Sequence, residues 1–211
     1  MNPPVKSFRN KGFTIVELMV VIGIMALLMA LSTPAFQSLA QSKNIVQAMS
    51  TTGAFLELAR NEAQSRQSYT MVVFGAPDNT NANGNYEACI AVALSADGST
   101  SSTGWGNAVF LSKIFRFENV RFTQAGTSIP NPFPLYGTTA TKQFAFSTAV
   151  TFSPDGQALV TSTSNSAYIA STNIIMESTR GTSANAIERA TIGIAGSTGA
   201  VTPKGVVKIG N

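Results

Sequence analysis

The sequence predicts an α+β protein: a long N-terminal membrane-spanning helix, kinked near Pro34, packed by its C-terminal half against an antiparallel β-sheet head. Three observations predict it. Residues 13–31 form a run of 19 residues in which Glu17 is the only charge. Residues 35–66 repeat apolar side chains at helical spacing. Beyond residue 67 the chain breaks into short β-branched and aromatic runs separated by Gly, Pro, Asn and Asp.

The N-terminus reads as basic residues, then an apolar run, then a polar chain, the outline of an export signal. Extended to Phe36 the apolar run has 24 residues, roughly 36 Å of helix at 1.5 Å per residue. That is too long for a removable signal core and long enough to span a bilayer. Lys6, Arg9 and Lys11 precede it and should stay cytoplasmic. Without them the balance of the chain is 11 basic to 10 acidic residues. The net charge of +4 therefore belongs mainly to the leader and does not indicate a nucleic-acid-binding domain.

Glu17 is the anomaly. A carboxylate at mid-membrane is unfavourable by about 2.5–3.5 kcal/mol, less near the interface. Either it snorkels to the headgroups or it awaits a positive partner. Pro34 lacks an N–H, so the Ala30 carbonyl loses its helical partner and the helix should kink. Helical periodicity resumes afterwards, which favours a kink over an end. Ile45, Met49, Leu56, Ala59 and Ala63, with Thr52, then form one stripe expected to receive a sheet. Glu62 and Arg66 form an i,i+4 pair.

The expected strands are 69–74, 86–94, 109–117, 120–123, 144–152, 158–161, 168–176, 190–194 and 206–209. Residues 76–85 and 97–108 read as long loops. Trp105, in the second loop, is expected to fold back onto its own domain rather than serve as a contact residue. Cys89 in "YEACIAVAL" reads as a small apolar strand residue, and a lone cysteine allows no intrachain disulfide.

Catalysis finds no constellation. The chain has no histidine, which excludes His-based triads and His metal ligands. The acids outside the helix show no local pairing in sequence. "NTNANGN" and "ADGST" carry too few carboxylates for a calcium loop, and Asp155 in "SPDG" reads as a turn residue. No enzyme, cofactor or metal is expected. Lys113, Arg116 and Arg121, interleaved with phenylalanines, and the tail residues Lys204 and Lys208 could touch phosphates. Alternation scatters them over both faces, so a solvated strand edge is the preferred reading.

"KGFTIVELMVVIGIMALLMALSTPAF" closely resembles the N-terminus of type IV pilins and type II secretion pseudopilins. The short basic leader, the Gly-Phe junction, Thr, an apolar pair, Glu, a long apolar helix and Pro coincide. The resemblance implies cleavage after Gly12 by a prepilin peptidase and N-methylation of Phe13. It implies that Glu17 forms an assembly salt bridge with the N-terminal amine of a neighbour. "LELARNEAQSRQSYTMVVFG", and more loosely "VTFSPDGQA" and "ERATIGIAGSTGAV", resemble GspH/FimT-type minor pilins and pseudopilins. The implied organisation is a cleaved leader at 1–12, a transmembrane assembly helix at 13–36, its amphipathic continuation at 37–67 and an extracytoplasmic head at 68–211. The implied partners are other pilin subunits, the prepilin peptidase and inner-membrane lipids. DNA is a less favoured partner, through a pilus-tip subunit active in uptake or adhesion. The implied location is the bacterial inner membrane with a cytoplasmic N-terminus, then the pilus or pseudopilus.

Overall fold

The computed structural model describes residues 14–75, 84–128, 146–159, 171–180 and 183–209. The chain divides into two compact units, Met1–Ala40 and Gln41–Asn211. One helix, α1 (Ile15–Arg66), begins in the first and ends in the second. Its backbone is helical on both sides of Pro34, so the helix continues past the proline. The side chains of residues 31–43, Pro34 among them, lie outside the described residues.

Among the described residues, no helix is long and apolar enough to cross a membrane. The side chains described at the start of α1 run only from Ile15 to Ala30. At 1.5 Å per residue such a stretch covers roughly 24 Å, short of a bilayer core.

In the second unit α1 turns one face inward. Ile45, Ala48, Thr52, Leu56, Ala59 and Ala63 are fully buried, at intervals of three or four. The stripe expected from sequence is this face, with Ala48 added and Met49 at its margin. Burying one Leu56-sized side chain stabilises by about 2 kcal/mol. Thr52 is tolerated there because its Oγ1 donates to the Met176 sulfur at 3.5 Å.

α1 ends in a Schellman motif. Gln67 takes the left-handed conformation, φ 50°, and the Ser68 N–H donates to the Ala63 carbonyl at 3.2 Å. The chain then reverses into β1 (Thr70–Gly75), and the Thr70 hydroxyl donates back to the Ala59 carbonyl at 2.6 Å. The helix-to-strand corner is thus pinned on both sides.

β1 lies between β2 (Glu87–Leu94) and β7 (Phe146–Phe152), antiparallel to each. The first sheet has the order β3-β2-β1-β7-β6, with β3 at Val109–Phe110 and β6 at Thr127–Ser128. β4 (Phe115–Glu118) also pairs with β2, and β8 (Ala158–Leu159) with β7. The second sheet has the order β11-β10-β9-β5, from Val201–Lys208, Ser183–Ala195, Ser171–Arg180 and Val120–Ala125. Among the described residues all pairings are antiparallel.

The main core lies among α1 and both sheets, and includes Leu56, Phe74, Val92, Phe122, Phe152, Met176 and Ile192. The other face of the first sheet carries a second cluster of Met71, Val73, Ala91, Trp105 and Ala149. Strands β1 and β2 are therefore buried on both faces and read as continuous apolar runs. Cys89 is fully buried in β2, packed like a small apolar residue.

The expected strand at 109–117 is two strands. Between them the Ser112 hydroxyl accepts the Val92 N–H at 2.9 Å and the Leu111 N–H donates to the Val92 carbonyl at 2.8 Å. A side chain thus takes a ladder position, and the edge restarts at Phe115. Residues 102–106 form the short helix α2, capped by the Ser101 hydroxyl. Trp105, on α2, is 1% exposed and folds back onto the sheet.

Candidate functional site at the start of the long helix

The first unit presents an apolar helix with one acid in its first turn. Ile15, Val16, Leu18, Met19, Ile22, Ile24, Leu27 and Met29 are all more than half exposed. No compact soluble domain leaves a helix apolar and exposed all round; such a surface needs lipid or other helices against it.

Glu17 closes the start of this helix. Its Oε2 accepts the Thr14 backbone N–H at 3.0 Å and the Thr14 hydroxyl at 2.9 Å. The Glu17 N–H donates to Thr14 Oγ1 at 3.2 Å. This is a capping box: Thr14 is the N-cap, Glu17 sits at the third helical position, and each satisfies an N–H of the other. The carboxylate also faces the positive end of the helix dipole. Part of Glu17's charge is therefore balanced within its own chain. The sequence signal was Thr-x-x-Glu ahead of an apolar run. Gly12 and Phe13 lie outside the described residues.

The basic residues singled out in sequence stand on or beside β4, β5 and β11. Arg116 lies on β4 with its Nε 3.4 Å from Glu87 Oε1. Arg121 lies on β5, Lys204 donates to Asn173 Oδ1 at 2.8 Å, and Lys113 and Lys208 are exposed.

One charged cluster could not be read from local sequence. Glu177, with its side chain 5% exposed, takes Arg121 on Oε2 at 3.0 Å and Arg189 on Oε1 at 2.7 Å. The Arg121 guanidinium also sits over the Tyr86 ring, 5.6 Å from its centroid. Burial alone would raise the Glu177 pKa. The hydrogen bonds and charges of Arg189 and Arg121 outweigh it and hold the carboxyl below its ordinary value. The three residues stand on β9, β5 and β10, so the cluster clips three strands of the second sheet.

Asp97 organises the loop before α2. Its Oδ1 accepts the Ser95 and Ser99 hydroxyls at 3.0 and 2.8 Å and the Ser99 N–H at 2.9 Å. Its Oδ2 accepts the Ser101 hydroxyl at 3.0 Å. Among the described residues, no cluster of His, Cys, Asp and Glu could hold a metal ion.

The family model for the prokaryotic N-terminal methylation motif matches residues 7–33. No curated protein and no solved structure matches the chain. Thr14, Glu17 and the exposed apolar run of α1 fall inside the matched segment. The chain thus carries at its N-terminus the methylation motif that is the hallmark of type IV pilins and pseudopilins.

Proposed function

We propose that the chain is a structural, non-enzymatic minor pilin or pseudopilin of the GspH/FimT type. A prepilin peptidase removes residues 1–12 after Gly12, and Phe13 becomes the N-methylated terminus. Residues 13–36 form the membrane-spanning assembly helix, 37–67 its amphipathic continuation and 68–211 the extracytoplasmic head. The subunit waits in the inner membrane and passes into a pilus or pseudopilus. The observation that carries this reading is the methylation motif at 7–33, which contains the apolar start of α1 and its single acid.

Cleavage creates an α-amine four residues before Glu17. Each charge is costly alone in a low-dielectric surrounding, and pairing relieves both. The amine of one subunit and Glu17 of the next would thereby set the register between helices. The intact mass of the native protein tests the processing: residues 1–12 should be lost and one methyl group gained. An uncut chain in cells that contain the peptidase would sink the reading. The binding-module alternative gains no support from the basic residues, since Arg116, Arg121 and Lys204 already have polar partners.

A further inference from the structure

The free edges of the sheets decide whether heads can pair strand to strand. Among the described residues, the outer strands β3, β6 and β8 of the first sheet are two residues each and β4 is four, too short to template a partner. β5, at one end of the second sheet, shifts register between Phe122 and Gln124. β11, at the other end, is eight residues long, and its middle, Pro203 to Gly205, forms an irregularity.

That irregularity is specific. Thr191 pairs with Gly205 and Ile192 with Pro203, so Lys204 is an extra residue in the strand. Pro203 has no N–H to offer, and Gly205 has φ 105°. The Lys204 side chain folds across β10 to Asn173 and covers Gly193. Regular pairing remains in two short pieces, Val201–Thr202 and Val206–Lys208, with Val207 68% exposed.

We propose that β11 is an edge closed to a second copy of this chain: Pro203 and the bulge at Lys204 block strand-to-strand pairing of heads and leave self-association to the N-terminal helix. The inference rests on the reading of the chain as an assembling subunit. Heads held side by side at high local concentration would otherwise pair through any continuous edge.

The test compares the full chain in detergent with a variant that carries Pro203→Val and lacks Lys204. The variant should dimerise at roughly tenfold lower concentration, and its 201–208 amides should exchange more slowly in the dimer. A variant with unchanged Trp105 emission and the wild-type mass overturns the proposal. If the variant fails to fold, the wild type decides. Its 206–208 amides should exchange equally fast at low and high concentration, and protection on self-association overturns the proposal. Leader removal, scored by intact mass in the same samples, separates failure of this inference from failure of the assembly reading.

Discussion

The Thr14 hydroxyl and the Thr14 N–H converge on one oxygen of Glu17, at 2.9 and 3.0 Å. The carboxylate therefore has two separable jobs. It closes the helix start through hydrogen bonds, and by the proposed function it offers a negative charge to a neighbour.

Two substitutions divide those jobs. Thr14→Val keeps the charge and the β-branched shape but removes the hydroxyl. It should cost the helix start about 1 kcal/mol and speed amide exchange over residues 15–18, while assembly persists. Glu17→Gln keeps an acceptor for the cap but removes the charge. Exchange at 15–18 should stay near wild type, while incorporation into filaments is lost. Normal incorporation of Glu17→Gln would show that the cap, not the charge, is what assembly needs.

Glu177 offers a second test, in the head. Glu177→Ala leaves Arg121, only 20% exposed, without its counter-charge. The loss should be about 3 kcal/mol by denaturant unfolding. Arg189→Ala should cost under about 1 kcal/mol, because Arg189 is half exposed and water replaces the contact. The folded carboxyl has a pKa below its unfolded value. Its contribution is therefore complete above the ordinary carboxylate range and is lost as pH falls through the lowered folded value. Glu177→Ala should flatten the acid limb of the stability profile.

Asp97 should act as the acid latch of the loop before α2. The Ser99 hydroxyl first, then the Ser99 N–H, lower its pKa to about 2, with Ser101 and Ser95 adding to them. Order in the loop is thus complete above the ordinary Asp range and fails as pH drops through about 2. Trp105, the single tryptophan, lies immediately beyond this loop and reports on it. Its emission should shift to the red over that range, and Asp97→Asn, with no carboxyl to titrate, should show the red-shifted emission already at neutral pH and no further acid step. Unchanged emission in Asp97→Asn would mean that the serines alone hold the turn.

The parts legible in sequence were those set by local period. The buried face of α1, the β1 and β2 runs and the inward fold of Trp105 follow from spacing and apolarity. The parts that were not legible depend on partners far along the chain. The break between β3 and β4 comes from Ser112 bonding to Val92, twenty residues away. The Glu177 cluster needs β5, β9 and β10 to be neighbours before it exists. β10 begins at Ser183 rather than near Ala190 because its partner β9 extends to Arg180. The Thr14–Glu17 cap was local and written in the sequence.

The α1–β1 corner yields the one change expected to stabilise. Gln67 holds φ 50°, where an L side chain crowds its own carbonyl by roughly 1–2 kcal/mol relative to glycine. It recovers part of that through its amide, which donates to the Gln64 carbonyl at 2.7 Å on an exposed surface. A hydrogen bond to water replaces most of that contact, so its loss should cost less than about 0.5 kcal/mol. Glycine also gains freedom in the unfolded chain, which offsets several tenths more. Gln67→Gly should therefore raise stability by about 0.5 kcal/mol, and Gln67→Val, with a β-branch at the same φ, should lower it by at least 1 kcal/mol. Paired denaturant midpoints settle the order. If Gln67→Val matches the wild type, the corner is not held in the left-handed conformation in solution.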